Sequence, residues 1–374
     1  MNIAVNTRFL LDEYLEGYGN FLYETMKRIT VTNPEHTFLF IFDRPFDKKF
    51  LFAENVKGLI CSPPARHPLL WKFWYDVKLP SLLKKHKADI FVSTDGFCSL
   101  HTSVPQVLVV HDLAFLHYPS FSRRSHVLFY KRYTGRFLEK AKRIATVSQF
   151  SKQDILFHYP VTAEKIDIVY SGVKDIFIPL DPGEKEKVKE KYTGGKEYFL
   201  YTGSIHPRKN LTNLLKAFSI FKKRQRSSMK LVLAGRLAWK YERFMKDLVS
   251  YKFREDVVLT GYLAENELSG LTAAAYSMVY PSLLEGFGVP VLEAMRSGIP
   301  VITSINSSMQ EIAGDAALYA DPADPVSLAD QMMLIYKDES MKGSLVEKGR
   351  LKAQQFTWDN TANLLWATIL RALA

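Results

Sequence analysis

The sequence predicts an α/β protein with two doubly wound domains, each built around a parallel sheet. The chain has 374 residues, and because domains of roughly 150 residues are typical, two are expected. Short runs of β-branched and aromatic residues alternate with longer amphipathic stretches, which is the pattern of βα units around parallel sheets. A segment dense in charge, glycine and proline, residues 178–197, separates two such series.

Thirteen strands are predicted, seven before that segment and six after it. The first series comprises residues 2–7, 37–42, 58–61, 89–93, 107–111, 143–147 and 166–170. The second comprises residues 198–202, 230–234, 257–260, 277–280, 300–303 and 318–319. The predicted organisation is therefore a first domain at 1–177, a linker at 178–197 and a second domain at 198–357. A helix predicted at 358–374 has an apolar face that must pack on its own domain or back against the first.

Composition excludes several classes of protein. Hydrophobic residues make up 47% and charged residues 24% of the chain, which is ordinary for a globular protein and excludes disordered and collagen-like chains. Cys61 and Cys98 are too few for a disulfide framework, so a reducing cytoplasmic location is expected. The N-terminal segment lacks the apolar core of a signal peptide, and no stretch approaches the ~18 to 20 apolar residues of a membrane span. Attachment to a membrane surface stays open.

The positive charge is concentrated in one segment. The net charge is +11, and residues 1–175 hold 24 Lys and Arg against 17 Asp and Glu. Residues 120–143 account for that whole surplus, with eight basic residues against Glu139. Apolar residues at helical spacing, which include Phe121, Phe129 and Phe137, predict a basic amphipathic helix. Its charge indicates either a solvated face of a core helix or a surface for an anionic membrane or ligand. Nucleic acid is disfavoured because no nucleic-acid-binding motif accompanies the charge.

The most informative stretch is residues 280–304. A predicted strand ends at Tyr280, and the loop that follows contains Glu285, Gly286, Phe287 and Gly288. Pro290 then opens a helix that carries Glu293. Glycines let backbone amides approach a ligand closely, and the helix N-terminus favours an anion. Glu285 and Glu293 can accept hydroxyl hydrogen bonds from two sides of a polar ligand.

This stretch resembles the retaining GT-B glycosyltransferases of family 4, in which two glutamates are separated by seven residues in the same setting. The resemblance covers essentially the whole chain. It implies a GT-B fold, two Rossmann-like domains facing a central cleft, with the acceptor on the first domain and the nucleotide sugar on the second. In that arrangement Glu285 and the amides of 286–288 hold the sugar, and Glu293 receives the ribose hydroxyls.

A second block, residues 198–218, agrees with the first. It predicts a strand, a turn at Gly203 and a helix from Leu211 capped by Asn210. Arg208 and Lys209 precede this helix, and the resemblance assigns such a pair to the diphosphate. Some relatives carry a further arginine directly after the glycine, where this chain has Ser204.

The first domain contributes three further candidates. His111 ends an apolar strand, and similar enzymes have a histidine there beside the transferred sugar. Gly17 and Gly19 precede a predicted helix, as does the glycine loop over the donor phosphates in similar enzymes. Ser148 is a candidate for contact with sugar or acceptor, whereas Ser151 is interpreted as a helix N-cap.

Missing motifs narrow the choice of function. The chain has no Walker A sequence, no Gly-x-Gly-x-x-Gly after the first strand, and no Asp-x-Asp, which disfavours kinases, dehydrogenases and glycosyltransferases that hold a divalent ion on paired aspartates. No His/Cys cluster indicates zinc. We therefore expect no metal and no resident cofactor, with a nucleotide-diphosphate sugar as co-substrate.

The resemblance implies retaining transfer of a hexose from a nucleotide-diphosphate sugar to a glycan or a polyprenyl-linked acceptor. The HPRKN turn at 206–210 and the basic segment look most like those of bacterial mannosyltransferases of surface polysaccharide synthesis, so GDP-mannose is the first choice of donor. UDP-glucose, UDP-N-acetylhexosamines and dTDP-rhamnose stay open as donors. His111, Glu285, Arg208 and Lys209 are the predicted catalytic residues. The expected location is cytoplasmic, with peripheral attachment to the inner face of the plasma membrane through 120–143. Two alternatives stay open: another GT-B enzyme, such as a glucan synthase or nucleotide-sugar epimerase, and an inactive glycan-binding protein of the same fold.

Overall fold

The computed structural model describes residues 1–11, 15 and 17–374. The chain forms two compact units: Met1–Gly172 together with Trp358–Ala374, and Val173–Thr357. Each unit is an α/β domain with one wholly parallel sheet flanked by helices. The predicted fold class is therefore confirmed.

The first unit has a seven-stranded sheet in the order β3-β2-β1-β4-β5-β6-β7. Its strands are β1 (Asn2–Asn6), β2 (Thr37–Phe42), β3 (Val56–Ile60), β4 (Ile90–Ser93), β5 (Gln106–Val110), β6 (Arg143–Thr146) and β7 (Ile166–Ile168). Its helices are α1 (Gly17–Thr32), α2 (Pro68–Phe73), α3 (Leu79–Lys85), α4 (Ala114–His117), α5 (Arg124–Lys140) and α6 (Gln149–His158). A π-helical turn, Trp74–Lys78, joins α2 to α3. All five residues of β5 are buried, as expected for a parallel strand covered on both faces.

The second unit has a six-stranded sheet in the order β10-β9-β8-β11-β12-β13. Its strands are β8 (Tyr198–Thr202), β9 (Lys230–Ala234), β10 (Val257–Gly261), β11 (Ser277–Tyr280), β12 (Val301–Ser304) and β13 (Ala317–Ala320). Its helices are α7 (Pro182–Thr193), α8 (Leu211–Gln225), α9 (Glu242–Val249), α10 (Glu265–Ala273), α11 (Val289–Arg296), α12 (Met309–Ala313), α13 (Pro325–Lys337) and α14 (Glu339–Ala353). The core of this unit also consists of strands buried on both faces, such as β8 and β11.

The segment 178–197 differs from the predicted linker. It contains α7, which belongs to the second unit and packs against α10. The side chain of Asp181 accepts a hydrogen bond from the backbone N–H of Glu184, and the Glu184 carboxylate accepts one from the backbone N–H of Asp181. This capping box starts the helix, and Gly194, with φ of 61°, ends it. The unit boundary falls earlier, after Gly172, because residues from Val173 onwards pack with the second unit.

The C-terminal helix, α15 (Trp358–Leu373), belongs to the first unit and packs against α1. Arg28 Nε donates to Asp359 Oδ1 at 2.6 Å, and the Trp358 and Phe21 ring centroids are 6.3 Å apart. The sequence leaves open whether α15 packs on the second domain or on the first, and its apolar face packs on the first unit. Among the helices of the described residues, none is both long and apolar enough to span a bilayer.

Candidate functional site

The candidate site of the second unit lies where the strand order reverses. The chain builds β8, β9 and β10 outward on one side and β11, β12 and β13 on the other, so β8 and β11 are neighbours. Loops that follow two such neighbours meet at the carboxyl edge of the sheet, which is where doubly wound folds bind ligands. The loop after β8 carries Arg208 and Lys209, and the loop after β11 carries Glu285.

Lys209 is buried against the second of these loops. Its Nζ donates to Glu285 Oε1 and to the Tyr280 hydroxyl, each at 2.6 Å. The Tyr280 hydroxyl in turn donates to the same carboxylate oxygen at 3.2 Å. Only 8% of Lys209 and 7% of Glu285 is exposed, so this is a buried ion pair satisfied by hydrogen bonds.

Arg208 reaches the other oxygen of the same carboxylate. Its Nη1 lies 3.1 Å from Glu285 Oε2 and also donates to the backbone carbonyl of Leu284. The backbone of Leu283 donates to the carbonyl of Arg208 at 2.9 Å, so the two loops are joined through main chain and side chains. Two cations therefore meet one carboxylate, which leaves this cluster with a net positive charge.

The electrostatics of Glu285 follow from these contacts. Burial would raise its pKa, but Arg208 and then Lys209 outweigh burial and lower the pKa to about 2. The carboxylate is therefore ionised at neutral pH and acts only as a hydrogen-bond acceptor.

Hydroxyl and amide groups that follow β12 hold the Glu285 loop in place. Ser308 Oγ donates to the carbonyls of Glu285, at 3.0 Å, and Phe287, at 2.9 Å. Asn306 Nδ2 donates to the carbonyl of Leu283 at 2.9 Å. Because side-chain hydrogen bonds fix these three carbonyls, the loop backbone has a defined conformation.

Gly288 starts helix α11 in a conformation that suits glycine. Its φ is 105°, and a Cβ there would lie 2.4 Å from the terminal carbon of Met309. Gly286 and Phe287 precede it and are buried. The Phe287 ring packs 5.7 Å from the Phe356 ring, so the side chain belongs to the core and only the backbone of this residue can serve a ligand.

Glu293 lies one turn into α11 and is half-buried. Burial raises the pKa of Glu293 to about 7, Lys174 acts in the opposite direction, and Glu265 adds to the rise. The two glutamates of the motif therefore differ in charge state: Glu285 is fixed as an anion, whereas Glu293 titrates near neutral pH.

The β8 turn matches the prediction at Gly203 but not at Asn210. Gly203 has φ of 129°, and a Cβ on Gly235 would lie 1.9 Å from its carbonyl oxygen, so the two glycines permit close approach of neighbouring loops. Asn210 precedes α8 with φ of 62°, but its side chain makes no cap. Its Nδ2 donates instead to the carbonyls of Pro281 and Pro322, so it joins three loops at the carboxyl edge of the sheet.

In the first unit, His111 lies directly after β5. Its Nε2 is 3.0 Å from the carbonyl of Thr94, and because a carbonyl only accepts, Nε2 carries the proton and Nδ1 the lone pair. Burial lowers the pKa of His111 to about 4, against the opposing effect of that hydrogen bond. The ring packs on Tyr18 and Phe21, with centroids 4.7 and 5.1 Å away. His111 is therefore a neutral, oriented imidazole.

Gly17 and Gly19 both lie in the first turn of α1 but differ in setting. Gly17 is exposed with open space around it. Gly19 is buried, and a Cβ there would lie 2.6 Å from the carbonyl oxygen of Phe9. Close packing alone therefore explains Gly19, and Gly17 is the member of the pair that a ligand can approach.

Of the two serines after β6, the first and not the second caps the helix that follows. Ser148 is the N-cap of α6, since its Oγ accepts from the backbone N–H of Ser151 at 3.0 Å. Ser151 Oγ donates to the backbone carbonyl of His111 at 3.0 Å. The interpretation of Ser151 as the cap is wrong, because the capping residue lies one position before the first helical residue.

A buried network at the strand-order reversal of the first unit is not evident from sequence. Arg8 follows β1 and Asp95 follows the neighbouring β4, and Arg8 Nη2 lies 2.6 Å from Asp95 Oδ2. Tyr75 OH donates to Asp95 at 2.9 Å, and Asn6 Nδ2 donates to Tyr75 OH at 2.8 Å. Arg8 is only 6% exposed, so this network holds the loops rather than presenting charge to a ligand.

One cluster with metal-ligand chemistry occurs among the described residues. His117, Asp154 and His158 place their nitrogen and carboxylate oxygen atoms within 4.8 Å of one another. Sequence spacing does not reveal this cluster, because 37 residues separate His117 from Asp154 and only the fold brings them together.

Two wholly parallel, doubly wound sheets, with Arg208, Lys209 and Glu285 at the carboxyl edge of the second, are the architecture of a GT-B glycosyltransferase, and comparison with known families identifies the chain as one. Residues 183–352 match the family described as "Glycosyl transferases group 1", and residues 33–175 match "Glycosyltransferase Family 4". The chain belongs to this family of glycosyltransferases.

Named relatives agree with that assignment. The chain is 31% identical over 360 residues to O-antigen chain mannosyltransferase B of Escherichia coli, covering 92% of this chain and 93% of that one. It is 31% identical to O-antigen chain mannosyltransferase RfbU of Salmonella typhimurium, covering 73% and 72%. Among solved structures, HepE of Anabaena in complex with UDP and glucose superposes with a TM-score of 0.75 at 16% identity, covering 98% of this chain and 99% of that chain.

Proposed function

We propose that this glycosyltransferase moves a hexose from a nucleotide-diphosphate sugar to a hydroxyl of a glycan or polyprenyl-linked glycan. The first choice of donor is GDP-mannose. The transfer retains the anomeric configuration of the sugar. Support for the sugar and the acceptor comes from the relatives, two of which are O-antigen chain mannosyltransferases. Support for a nucleotide-diphosphate donor comes from the site itself.

The observation that carries the proposal is the convergence of Arg208 and Lys209 on Glu285. With one carboxylate between two cations, the cluster retains a net positive charge at the carboxyl edge of a doubly wound sheet. A diphosphate brings anionic oxygens that compete with Glu285 for both cations. Binding then releases the Glu285 carboxylate to accept hydrogen bonds from the hydroxyls of the sugar.

Glu293 suits a different part of the donor. Its pKa of about 7 means that the ionised form, which accepts hydrogen bonds, is populated at neutral pH. Ribose offers two adjacent hydroxyl donors, which a carboxylate accepts together. Glu293 therefore holds the nucleoside, while Arg208, Lys209 and Glu285 hold the diphosphate and the sugar.

In the proposed step, the bond between the anomeric carbon and the diphosphate oxygen breaks as the acceptor oxygen bonds to the same carbon on the same face. The acceptor proton passes to a departing phosphate oxygen, so that products are the glycoside and the nucleoside diphosphate. Arg208 and Lys209 stabilise the charge that develops on the leaving group, which is electrostatic catalysis directed at the transition state. His111, neutral and with its Nδ1 lone pair available for a hydroxyl, orients the sugar. No metal is required in this scheme.

We further propose that the first unit meets an anionic membrane surface. Of the eight basic residues in 120–143, seven are exposed, whereas Arg143 pairs with Asp167 at 2.7 Å. Three of the exposed cations, Lys131, Arg132 and Arg136, line a groove of about 360 Å³ against the end of α6. Each cation near an anionic bilayer contributes about 1 kcal/mol.

The apolar part of this surface differs from the one that the sequence indicates. Phe129 and Phe137 are buried, at 7% and 2% exposure, so they pack on the domain and cannot enter a bilayer. The exposed apolar side chains are instead Leu128 on α5 and four more on a neighbouring segment. That segment is α2, which packs against α5, and the π-helical turn that follows α2. These further side chains are Leu69, Leu70, Phe73 and Val77.

Turnover tests the proposed function. Purified protein is supplied with GDP-mannose and a mannose-terminated acceptor, release of GDP is followed, and the anomeric configuration of the product is read by NMR. The proposal predicts an α-mannoside from the α-linked donor, and strong loss of turnover in His111→Ala. A β-mannoside would contradict retention. Conversion of the donor without acceptor would indicate an epimerase, and nucleotide binding without any turnover, with any donor tried, would indicate an inactive binding protein.

A further inference from the structure

The cluster of His117, Asp154 and His158 lies on two helices of the first unit. His117 is the last residue of α4, and Asp154 and His158 lie one turn apart on α6. His117 Nε2 lies 2.9 Å from both carboxylate oxygens of Asp154, and His158 Nε2 lies 3.5 Å from Asp154 Oδ1. Nothing in the proposed transfer reaction uses these three residues.

The charge balance of Asp154 indicates what the cluster lacks. Its side chain is only 9% exposed, and its ion-pair partners among the described residues are these two histidines. Neither partner carries a permanent positive charge, whereas buried carboxylates are normally paired with a cation or bound to a metal. A divalent ion would neutralise Asp154 and engage both imidazoles in the neutral form that binds metals.

The distances suit a small divalent ion. With metal–ligand bonds of about 2.0 to 2.2 Å, tetrahedral geometry places ligand atoms about 3.3 Å apart. The separations of the two histidine nitrogens from Asp154 Oδ1, 2.9 and 3.5 Å, bracket that value. All three ligand atoms lie within 4.8 Å of one another, so the cluster is compact enough to hold one ion. The histidine side chains are 33% and 30% exposed, which gives an ion access from solvent.

We propose that His117, Asp154 and His158 form a binding site for a late first-row divalent cation, Zn²⁺ first. Two imidazoles and one carboxylate favour such an ion over Mg²⁺ or Ca²⁺, which prefer oxygen ligands. Three protein ligands leave the fourth tetrahedral position to water. The bound ion is structural, because it joins α4 to α6.

A metal ion bound by His117, Asp154 and His158 would restrict the backbone at His111. The segment from His111 to His117 contacts α6 at both ends: Ser151 Oγ donates to the His111 carbonyl, and Asp154 and His158 meet His117. An ion at the second contact limits the movement of α4 relative to α6 and so restricts the backbone that carries His111. The site does not depend on the proposed donor or acceptor.

Zinc titration by calorimetry tests the proposal, using metal-free protein without a histidine tag. Wild-type protein is expected to bind one equivalent and to melt at a higher temperature with zinc. Loss of even an indirect partner of a metal ligand weakens binding by about 10- to 100-fold, so His117→Gln and His158→Gln should each lose at least that much. Cobalt(II) bound at the site should show the intense visible absorption of tetrahedral coordination.

His101→Gln is the matched control. His101 Nδ1 lies 3.3 Å from Asp76 Oδ1, so it is one imidazole beside one carboxylate without a second histidine. This variant should keep one equivalent of zinc and the full thermal shift. Circular dichroism establishes that each variant is folded. Failure of wild-type protein to bind zinc, or equal binding by His158→Gln and wild type, would overturn the proposal.

Discussion

Lys209 Nζ lies 2.6 Å from Glu285 Oε1, and this contact joins the loops that follow two neighbouring strands, β8 and β11. The same carboxylate also meets Arg208. Without a donor, both cations therefore pair with Glu285, the carboxylate that is proposed to accept hydrogen bonds from the sugar. Donor binding is then an exchange of partners rather than the formation of a new set of contacts.

This relationship predicts unequal effects on stability. Glu285→Ala leaves two cations without their carboxylate, one of them buried, and should lower the free energy of unfolding by about 3 to 5 kcal/mol. Lys209→Ala should cost less, because Arg208 still pairs with Glu285. Urea denaturation measures both, with Glu347→Ala on the exposed face of α14 as the control. Glu285→Ala that is no less stable than Lys209→Ala would show that Glu285 is not the shared partner of both cations.

Glu293 predicts a pH dependence of nucleotide binding. Its pKa is raised from 4.5 to about 7, so the protonated form predominates at pH 6 and the ionised form at pH 8. Because the carboxylate is the better acceptor for ribose hydroxyls, affinity for GDP should rise with pH through about 7, by up to about tenfold over this interval.

Two controls isolate the contribution of Glu293. The phosphate of GDP also titrates, and Glu293→Gln retains that effect while removing the carboxylate. Glu347→Gln changes an exposed glutamate away from the site. Calorimetry at pH 6, 7 and 8 should give a steeper profile for wild type and Glu347→Gln than for Glu293→Gln. Parallel profiles in all three proteins would remove Glu293 from the nucleoside site.

Transfer without a metal is expected, because Arg208 and Lys209 can neutralise the leaving diphosphate. The His117 cluster complicates a simple chelator experiment, since removal of a structural ion could lower activity indirectly. Turnover is therefore compared in wild type and His158→Gln, with excess chelator and below the melting temperature of each. Both proteins should retain most of their activity. Loss that added Mg²⁺ or Mn²⁺ restores in His158→Gln would show that catalysis itself requires a metal.

Vesicle binding should depend on both parts of the surface of the first unit. Co-sedimentation with anionic vesicles should fall when Arg124, Lys131 and Arg132 are changed to Gln, and should weaken with salt because the Debye length is about 8 Å at physiological ionic strength. Leu69→Ser with Phe73→Ser should also reduce binding, whereas a change of the buried Phe129 only affects stability. Equal binding to neutral and anionic vesicles would reject this surface.

Most of the fold could be predicted from local patterns. All thirteen predicted strands are present within a few residues of their predicted ends. The inner strands are the clearest, because fully buried parallel strands are continuous apolar runs between glycine, proline and charged turns. Local patterns do not reveal helix α7, because charged residues surround the helix on nearly every side. Asp181, Glu184 and Gly194 nevertheless form recognisable start and stop signals.

Features that depend on strand order could not be predicted in this way. Arg8 meets Asp95 only because β1 and β4 are neighbours, and His117 meets Asp154 only because α4 and α6 follow adjacent strands. Asn210 illustrates a different limit. Its sequence position suits a helix cap, but its positive φ directs the side chain to the carbonyls of Pro281 and Pro322 instead. In each of these examples, the partner of the side chain is set by tertiary contacts that the local sequence does not show.

Calorimetric titration with GDP tests most directly whether Arg208, Lys209 and Glu285 form the diphosphate site. Lys209→Ala should lose about 1.5 to 3 kcal/mol of binding free energy, the value of a charge-assisted hydrogen bond. Lys337→Ala, at the exposed end of α13, should bind GDP like wild type, and GMP should bind wild type more weakly than GDP. Wild-type affinity in a folded Lys209→Ala, or equal affinity of wild type for GDP and GMP, would contradict the account.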